Sequence, residues 1–423
     1  MTSRNASRDD FDRLMRRWMD ADASVGEPEH LLDQVLSQTR RSGRLPRWVL
    51  PEWWLPMQLT MPMRAVPRLA PLLLLIALLL AAAIAVVWIG SRPRLPDPFG
   101  PAANGQVAYL SNGQVYAANP DGSNPLQLTF GDGAASSMVW SQDGTKLAYR
   151  LTAPTSNPST MSDSELVVVN ADGTNPIAID RGKDISPPSW SPDGLWLAYA
   201  RVDGTYDQVF IAAADGSSPP TRIGNPATIN WSPLFSPDGT KIAYFVGQEG
   251  DGIGVMNPDG SDWHIVNTTP FQYIDSATWH PDGKRIVVSA AATNETDLWI
   301  LHADGSPEER LEMPGRAEAG PSWSPAGDRL AYLASGDGES FLLYVADADG
   351  GKERLLPGIY SHINPSWSPD GTRIAAVSEL GSTVRLTLID PDGKADAIVI
   401  EGDLPSEPVA ERMSPTAWQR VAP

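Results

Sequence analysis

Two hydrophobic patterns divide this chain of 423 residues. The first is an unbroken apolar run from Leu69 to Ile89, LAPLLLLIALLLAAAIAVVWI, with no charge anywhere in it. As a helix rising about 1.5 Å per residue it would be about 31 Å long, the thickness of a bilayer core. Pro71 falls in its first turn, where a proline costs little. The run is apolar on every face, which argues against a surface helix of a soluble domain. Nearly 70 residues precede it, far more than the n-region of a cleaved signal peptide. The pattern predicts one transmembrane helix over 69–90.

The second pattern is short and recurrent. An aromatic residue, a Ser-Pro-Asp-Gly-like turn and an apolar run repeat six times. They read WSQDGTKLAY from Trp140, WSPDGLWLAY from Trp190, FSPDGTKIAY from Phe235, WHPDGKRIVV from Trp279, WSPAGDRLAY from Trp323 and WSPDGTRIAA from Trp367. A second turn, of the type Asn-Pro-Asp-Gly, is interleaved and ends at Gly122, Gly173, Gly216, Gly260, Gly305, Gly350 and Gly393. Both markers keep a period near 44 residues, and two independent markers with one period define a repeat array.

In Ser-Pro-Asp-Gly, proline presets φ, aspartate suits the next position and glycine accepts φ > 0, so the motif is a tight hairpin turn. Four short strands per repeat is the size of a propeller blade. A lone four-stranded sheet could not bury both faces, whereas blades stacked around an axis can. The tryptophans are therefore read as packing between blades, not as ligand platforms. The first repeat, from Gly105, has three strands and lacks the innermost one. PTAWQRV (415–421) is a Trp-bearing strand with no repeat after it. Trp418 is expected to supply the missing strand and close a seven-bladed ring with no open edge.

The aromatic-Ser-Pro-Asp-Gly and Asn-x-Asp-Gly repeats resemble the TolB-type, WD-repeat-like β-propeller over 105–423. The resemblance implies an all-β propeller. Two departures stand beside it: the periplasmic TolB protein has six blades and a separate small α/β domain, whereas seven repeats and no such domain are read here, and TolB is soluble after signal cleavage, whereas this chain is read as membrane-anchored. The resemblance is one of fold, and fold alone does not give function, so the Tol–Pal role is not carried over.

Charge adds location. Residues 1–69 carry 11 Arg, no Lys and a net +2, while residues 91–423 carry a net −21. Arg40, Arg41, Arg44, Arg47, Arg64 and Arg68 precede the apolar run. After it come only Arg92 and Arg94 before Lys146. The positive-inside rule places the N-terminus in the cytoplasm and the propeller outside it, with Trp48, Trp53, Trp54 and Trp88 flanking the span. The acidic propeller should repel nucleic acid. With no cysteine, the chain has no disulfide, thiolate metal site or cysteine nucleophile, and a bacterial cell-envelope location is expected.

The expected organisation is thus a helical cytoplasmic segment (1–45), an Arg/Trp/Pro-rich linker (46–68), the span (69–90), a second linker (91–104) and the propeller (105–423). Phe11, Leu14, Met15, Trp18 and Met19 fall on one helical face. Leu31, Leu32, Val35 and Leu36 mark a second short helix. Two amphipathic helices followed by a membrane span resemble the layout of membrane-bound anti-sigma factors, although the zinc-binding His/Cys motif of many such factors is missing. A cytoplasmic protein partner for 1–45 is the corresponding expectation.

Strand alternation puts the uniform Asp-Gly turns at one end of the propeller and the variable connections at the other, where binding surfaces usually lie. Near the starts of the inner strands at that end stand Asp184, Asn230, Asp275, Glu318 and His362, the candidate ligand rim. Enzyme motifs are absent: no G-x-S-x-G elbow, no H-E-x-x-H and no phosphate loop. No hydrolase domain is expected beyond the closing strand. No catalytic residue, metal or cofactor is expected. The reading is a membrane-anchored extracytoplasmic module that binds a protein, a ligand or envelope material. The alternatives are a transmembrane signalling protein with a propeller sensor, and a propeller hydrolase or lyase using Asp275, Glu318 and His362 with a divalent ion.

Overall fold

The structure is a computed structural model. It describes residues 102–153, 163–224, 228–247, 252–292, 295–311, 313, 317–335, 341–360, 364–380, 383–394, 397–401 and 417–421. The chain separates into two units, Met1–Arg92 and Pro93–Pro423, and all described residues belong to the second. The expected cytoplasmic helices and the span at 69–90 lie outside the described residues. Among the described residues, no helix is long and apolar enough to cross a membrane.

The described chain forms seven four-stranded antiparallel sheets. Blade 1 comprises 103–127 with 417–421, and blades 2 to 7 comprise 134–183, 189–223, 230–265, 273–310, 318–360 and 366–401. The first strand of the chain, Ala103–Ser111, begins two residues before the expected boundary. The closing strand is Ala417–Val421, with Trp418 opposite Val107 and Val421 opposite Ala103. Gln419 secures this seam. Its Oε1 accepts the Gln106 amide at 2.8 Å, and its Nε2 donates to Gly144 O of blade 2 at 2.7 Å.

The core is distributed between blades. Seven hydrophobic clusters among the described residues each span one junction of neighbouring sheets. The strand Ile242–Val246 shows why the apolar runs look continuous in sequence. Ile242, Tyr244 and Val246 pack toward blade 3, while Ala243 and Phe245 pack toward blade 5. A strand covered on both faces has no polar side to alternate with.

The aromatic residue of each repeat sits at these junctions, as expected. Trp140, Trp190, Phe235, Trp279, Trp323, Trp367 and Trp418 are all buried. Their indoles also latch the ring. Trp190 Nε1 donates to Val139 O, Trp279 to Leu234 O and Trp367 to Ser322 O, each at 3.0 Å, and Trp418 to Ser366 O at 3.3 Å. Each acceptor lies in the preceding blade, next to that blade's own aromatic residue. Such a bond contributes about 0.5–1.5 kcal/mol net, in addition to the apolar burial of the ring.

Candidate functional site

The two ends of the propeller are chemically different because their connections differ. At the turn end, Ser-Pro-Asp-Gly builds a closed network. In blade 3 the Ser191 hydroxyl donates to Asp193 Oδ1 at 2.5 Å and accepts the Trp196 amide at 2.9 Å. Asp193 Oδ1 also accepts the Leu195 amide at 3.0 Å, and Gly194 N donates to Ser191 O at 2.9 Å. Gly194 sits at φ +68°, where a side chain would be strained. Asp238 and Asp370 occupy the same place in blades 4 and 7. Burial would raise their carboxyls, but hydrogen bonds from Ser, Thr and backbone N–H groups outweigh it and hold them below the usual range.

A central cavity of about 500 Å³ runs along the axis at this end. Its wall includes the aromatic residues just described, the turn prolines Pro192, Pro237, Pro281, Pro325 and Pro369, and Arg420 of the closing strand. Of the described rim candidates, Asp184, Asn230, Asp275 and Glu318, none borders it.

The variable-loop end carries the residues that the sequence singles out. Asp184 stands at the crossing from blade 2 to blade 3, in the left-handed region at φ +52°. Its side chain is 62% exposed and lies 3.9 Å from the guanidinium of Arg150. Arg150 itself is buried, donating to Ser136 Oγ at 3.0 Å and to Ile185 O at 2.8 Å. Asp275 is the third residue of the inner strand of blade 5, Tyr273–Trp279, and is exposed. The surrounding protein still displaces enough water to push its carboxyl above the ordinary range, against a lowering hydrogen bond with Ser276.

Two rim candidates have a different environment. Asn230 is wholly buried: its Nδ2 donates to Thr228 O at 2.9 Å, and its Oδ1 accepts from Thr228 Oγ1 at 3.0 Å. That arrangement fixes the start of the inner strand of blade 4. Glu318 is 2% exposed, and its backbone carbonyl accepts the Ser289 hydroxyl at 2.8 Å. His362 lies outside the described residues.

Asp207, which its sequence context alone does not single out, joins this end. It follows the hairpin of blade 3, and its carboxyl is raised by burial and by repulsion from Asp184. The structure therefore brings Asp184 and Asp207 into one electrostatic neighbourhood. The signal available in sequence was the hairpin VDGTYD, whose turn residues place Asp207 at the same end as the blade crossings. Exposed aromatic residues share this face: Phe130 at 74%, Tyr206 at 45% and Tyr273 at 42%. Among the described residues, no group of three or more His, Asp or Glu side chains is placed to hold a metal ion.

Known proteins match this architecture. The family profile of the TolB beta propeller domain covers residues 145–408. The Tol-Pal system protein TolB of Francisella tularensis subsp. mediasiatica (strain FSC147) is 40% identical over 104 residues, 23% of this chain and 23% of the relative. The matched stretch thus spans about a quarter of such curated relatives. Among solved structures, TolB from Acinetobacter baumannii covers 76% of this chain and 81% of its own, at 17% identity and a TM-score of 0.50. An oligogalacturonate lyase in complex with manganese covers 65% and 82%, at 17% identity and a TM-score of 0.51. A prolyl endopeptidase covers 73% and 51%, at 15% identity and a TM-score of 0.52. These structural likenesses show the fold alone. The profile match spans more than half of the chain, and the chain belongs to the TolB β-propeller domain family.

Proposed function

We propose that this chain is a membrane-anchored, extracytoplasmic binding protein without catalytic activity, and that the variable-loop face of its propeller engages a protein or other cell-envelope component. The observation that carries this reading is the asymmetry of the two faces. Uniform, internally bonded turns occupy one end. The other end gathers the irregular connections, the exposed rings of Phe130, Tyr206 and Tyr273, and the carboxylates of Asp184, Asp207 and Asp275. Aromatic residues on loops held by a rigid scaffold are suited to recognition. The Francisella relatives bear the name Tol-Pal system protein, which supports an envelope partner for this chain. Anchoring rests on the apolar run at 69–89 and on the arginines before it.

The test is site-specific photocrosslinking of the full chain in native membranes. A photoreactive residue at Phe130 or Tyr273 should capture a discrete partner, and the same residue at Leu126, on an outer strand, should not. Equal capture from both positions, or turnover of substrate by the purified chain, would overturn the reading.

A further inference from the structure

The chain joins the propeller at the turn end. Ala102 N donates to Pro369 O at 2.8 Å, and Asn104 Oδ1 accepts the Asp370 amide at 3.1 Å. Pro369 and Asp370 belong to the Ser-Pro-Asp-Gly turn of blade 7, so whatever precedes residue 102 is attached to that face. Twelve residues separate Ile89, the end of the apolar run, from Ala102. A tether of that length reaches about 40 Å at most.

One blade breaks the chemistry of this face. Directly after the turn glycine, blade 2 has Thr145 and Lys146, and blade 4 has Thr240 and Lys241. Between them, blade 3 has Leu195 and Trp196, which are 60% and 40% exposed. The Leu195 amide is tied to Asp193, so the backbone holding this apolar pair is fixed. An exposed leucine and tryptophan flanked by lysines is the composition of a membrane-interface contact. The leucine side chain and the indole enter the headgroup boundary, while the ammonium groups of Lys146 and of Lys241, the latter paired with Asp262 at 3.1 Å, stay on its water side.

We propose that Leu195 and Trp196 insert into the outer surface of the lipid bilayer that anchors the chain, a docking contact of the turn face. This rests on the anchored reading above. The tether makes the contact intramolecular, so a weak apolar insertion suffices. The face also carries an aspartate in nearly every turn, so the surface it suits is zwitterionic, and anionic lipid weakens the contact. Docking on this side leaves the variable-loop face open to its partner.

The cysteine-free chain allows a direct test. The full chain is labelled with an environment-sensitive fluorophore at Leu195→Cys, or at Phe130→Cys on the opposite face, and reconstituted into phosphatidylcholine vesicles. The label at 195 should be blue-shifted and quenched by a bilayer-confined quencher, the label at 130 should not, and Trp196→Asp should abolish the quenching at 195. Co-flotation with the vesicles separates the two readings. A chain that does not float overturns the anchor. A chain that floats while both labels stay in water overturns the docking alone. Equal quenching at 195 and 130 overturns the assignment to one face.

Discussion

The Ser324 hydroxyl of blade 6 donates to Asp328 Oδ1 at 2.7 Å. In blades 2, 3, 4 and 7 the equivalent serine donates to an aspartate two positions on, within Ser-x-Asp-Gly. Blade 6 has Ala326 there, and Asp328, beyond the turn glycine, supplies the acceptor from the far side. The Arg329 amide still donates to Ser324 Oγ at 3.0 Å. Asp328→Ala should therefore cost about 1–2 kcal/mol of unfolding free energy in urea, the worth of a buried hydroxyl left without its acceptor. Ala326→Asp should recover most of that loss in the double variant. If the double variant is no more stable than the single, the two aspartates are not interchangeable.

The indole latches predict an inequality between two tryptophans. Trp190 Nε1 is bonded to Val139 O, whereas Trp323 Nε1 is buried with no hydrogen-bond partner among the described residues. The His280 ring packs edge-on against Trp323, 4.7 Å between centroids. Phenylalanine keeps most of the ring and removes the N–H. Trp190→Phe should be more destabilising than Trp323→Phe by about 1 kcal/mol, since only the first loses a bond and only the second removes an unsatisfied donor. Equal denaturation midpoints at equal m-values would contradict this.

Gly254 lies opposite Tyr244 in blade 4. A Cβ at 254 would sit 2.4 Å from Tyr244 Cζ, inside van der Waals contact. The phenol is buried in the junction with blade 3 and cannot swing away. Gly254→Ala should cost about 1–3 kcal/mol by overpacking, and adding Tyr244→Phe should relieve little of it because the ring itself is the obstacle. Thermal unfolding of Gly254→Ala, of Tyr244→Phe and of the double variant decides it.

What the sequence revealed and what it hid follow the same physical division. The turn motif, the aromatic junctions and the closing strand at Trp418 are local patterns repeated at one period, so each copy reinforces the others. The burial of Asn230 and Glu318 is not local. Whether a polar residue at the start of an inner strand faces the mouth or turns inward depends on partners from other segments, such as Gln208 of blade 3, which donates to the same Thr228 carbonyl that holds Asn230. The raised carboxyl of Asp207 likewise depends on burial in the folded ring and on Asp184, brought near by the crossing from blade 2 to blade 3. The Tyr244 contact that requires Gly254 is a cross-strand matter, invisible in a glycine read alone.

Acid should loosen the connection between blades 4 and 5. Burial would raise the Glu308 carboxyl, but hydrogen bonds from Thr269 and Thr268 outweigh it and hold it at about 2. Both threonine amides and both hydroxyls donate to it. A carboxyl lowered in the folded state gives stability that is fully present above its unfolded value and is lost as pH falls from about 4.5 toward about 2. Thr269→Val removes one donor. Its destabilisation relative to the parent should be largest at pH 7 and shrink by pH 2.5. A difference independent of pH would mean that the threonine acts by packing alone.

Asp207 should behave in the opposite sense. Burial and the charge of Asp184 disfavour its carboxylate, so the folded-state value lies above the unfolded one. Above that value the ionised group costs stability, and the cost is removed as pH falls and the proton is taken up. Asp207→Asn should therefore be more stable than the parent at pH 7, by a margin of under about 1 kcal/mol for a half-buried group near a surface. The margin should close as pH falls toward 4. Asp184→Asn should produce part of the same gain, because it removes the repulsion and leaves the burial, and the two substitutions together should give less than the sum of their separate effects. If a ligand brings a positive charge to this mouth, the order reverses in its presence: the parent then gains more stability from the ligand than either variant. Urea unfolding of the parent and the three variants at pH 7 and pH 4 reads both the sign and the coupling. A destabilised Asp207→Asn at pH 7 would show that this carboxylate holds a compensating partner in the folded protein.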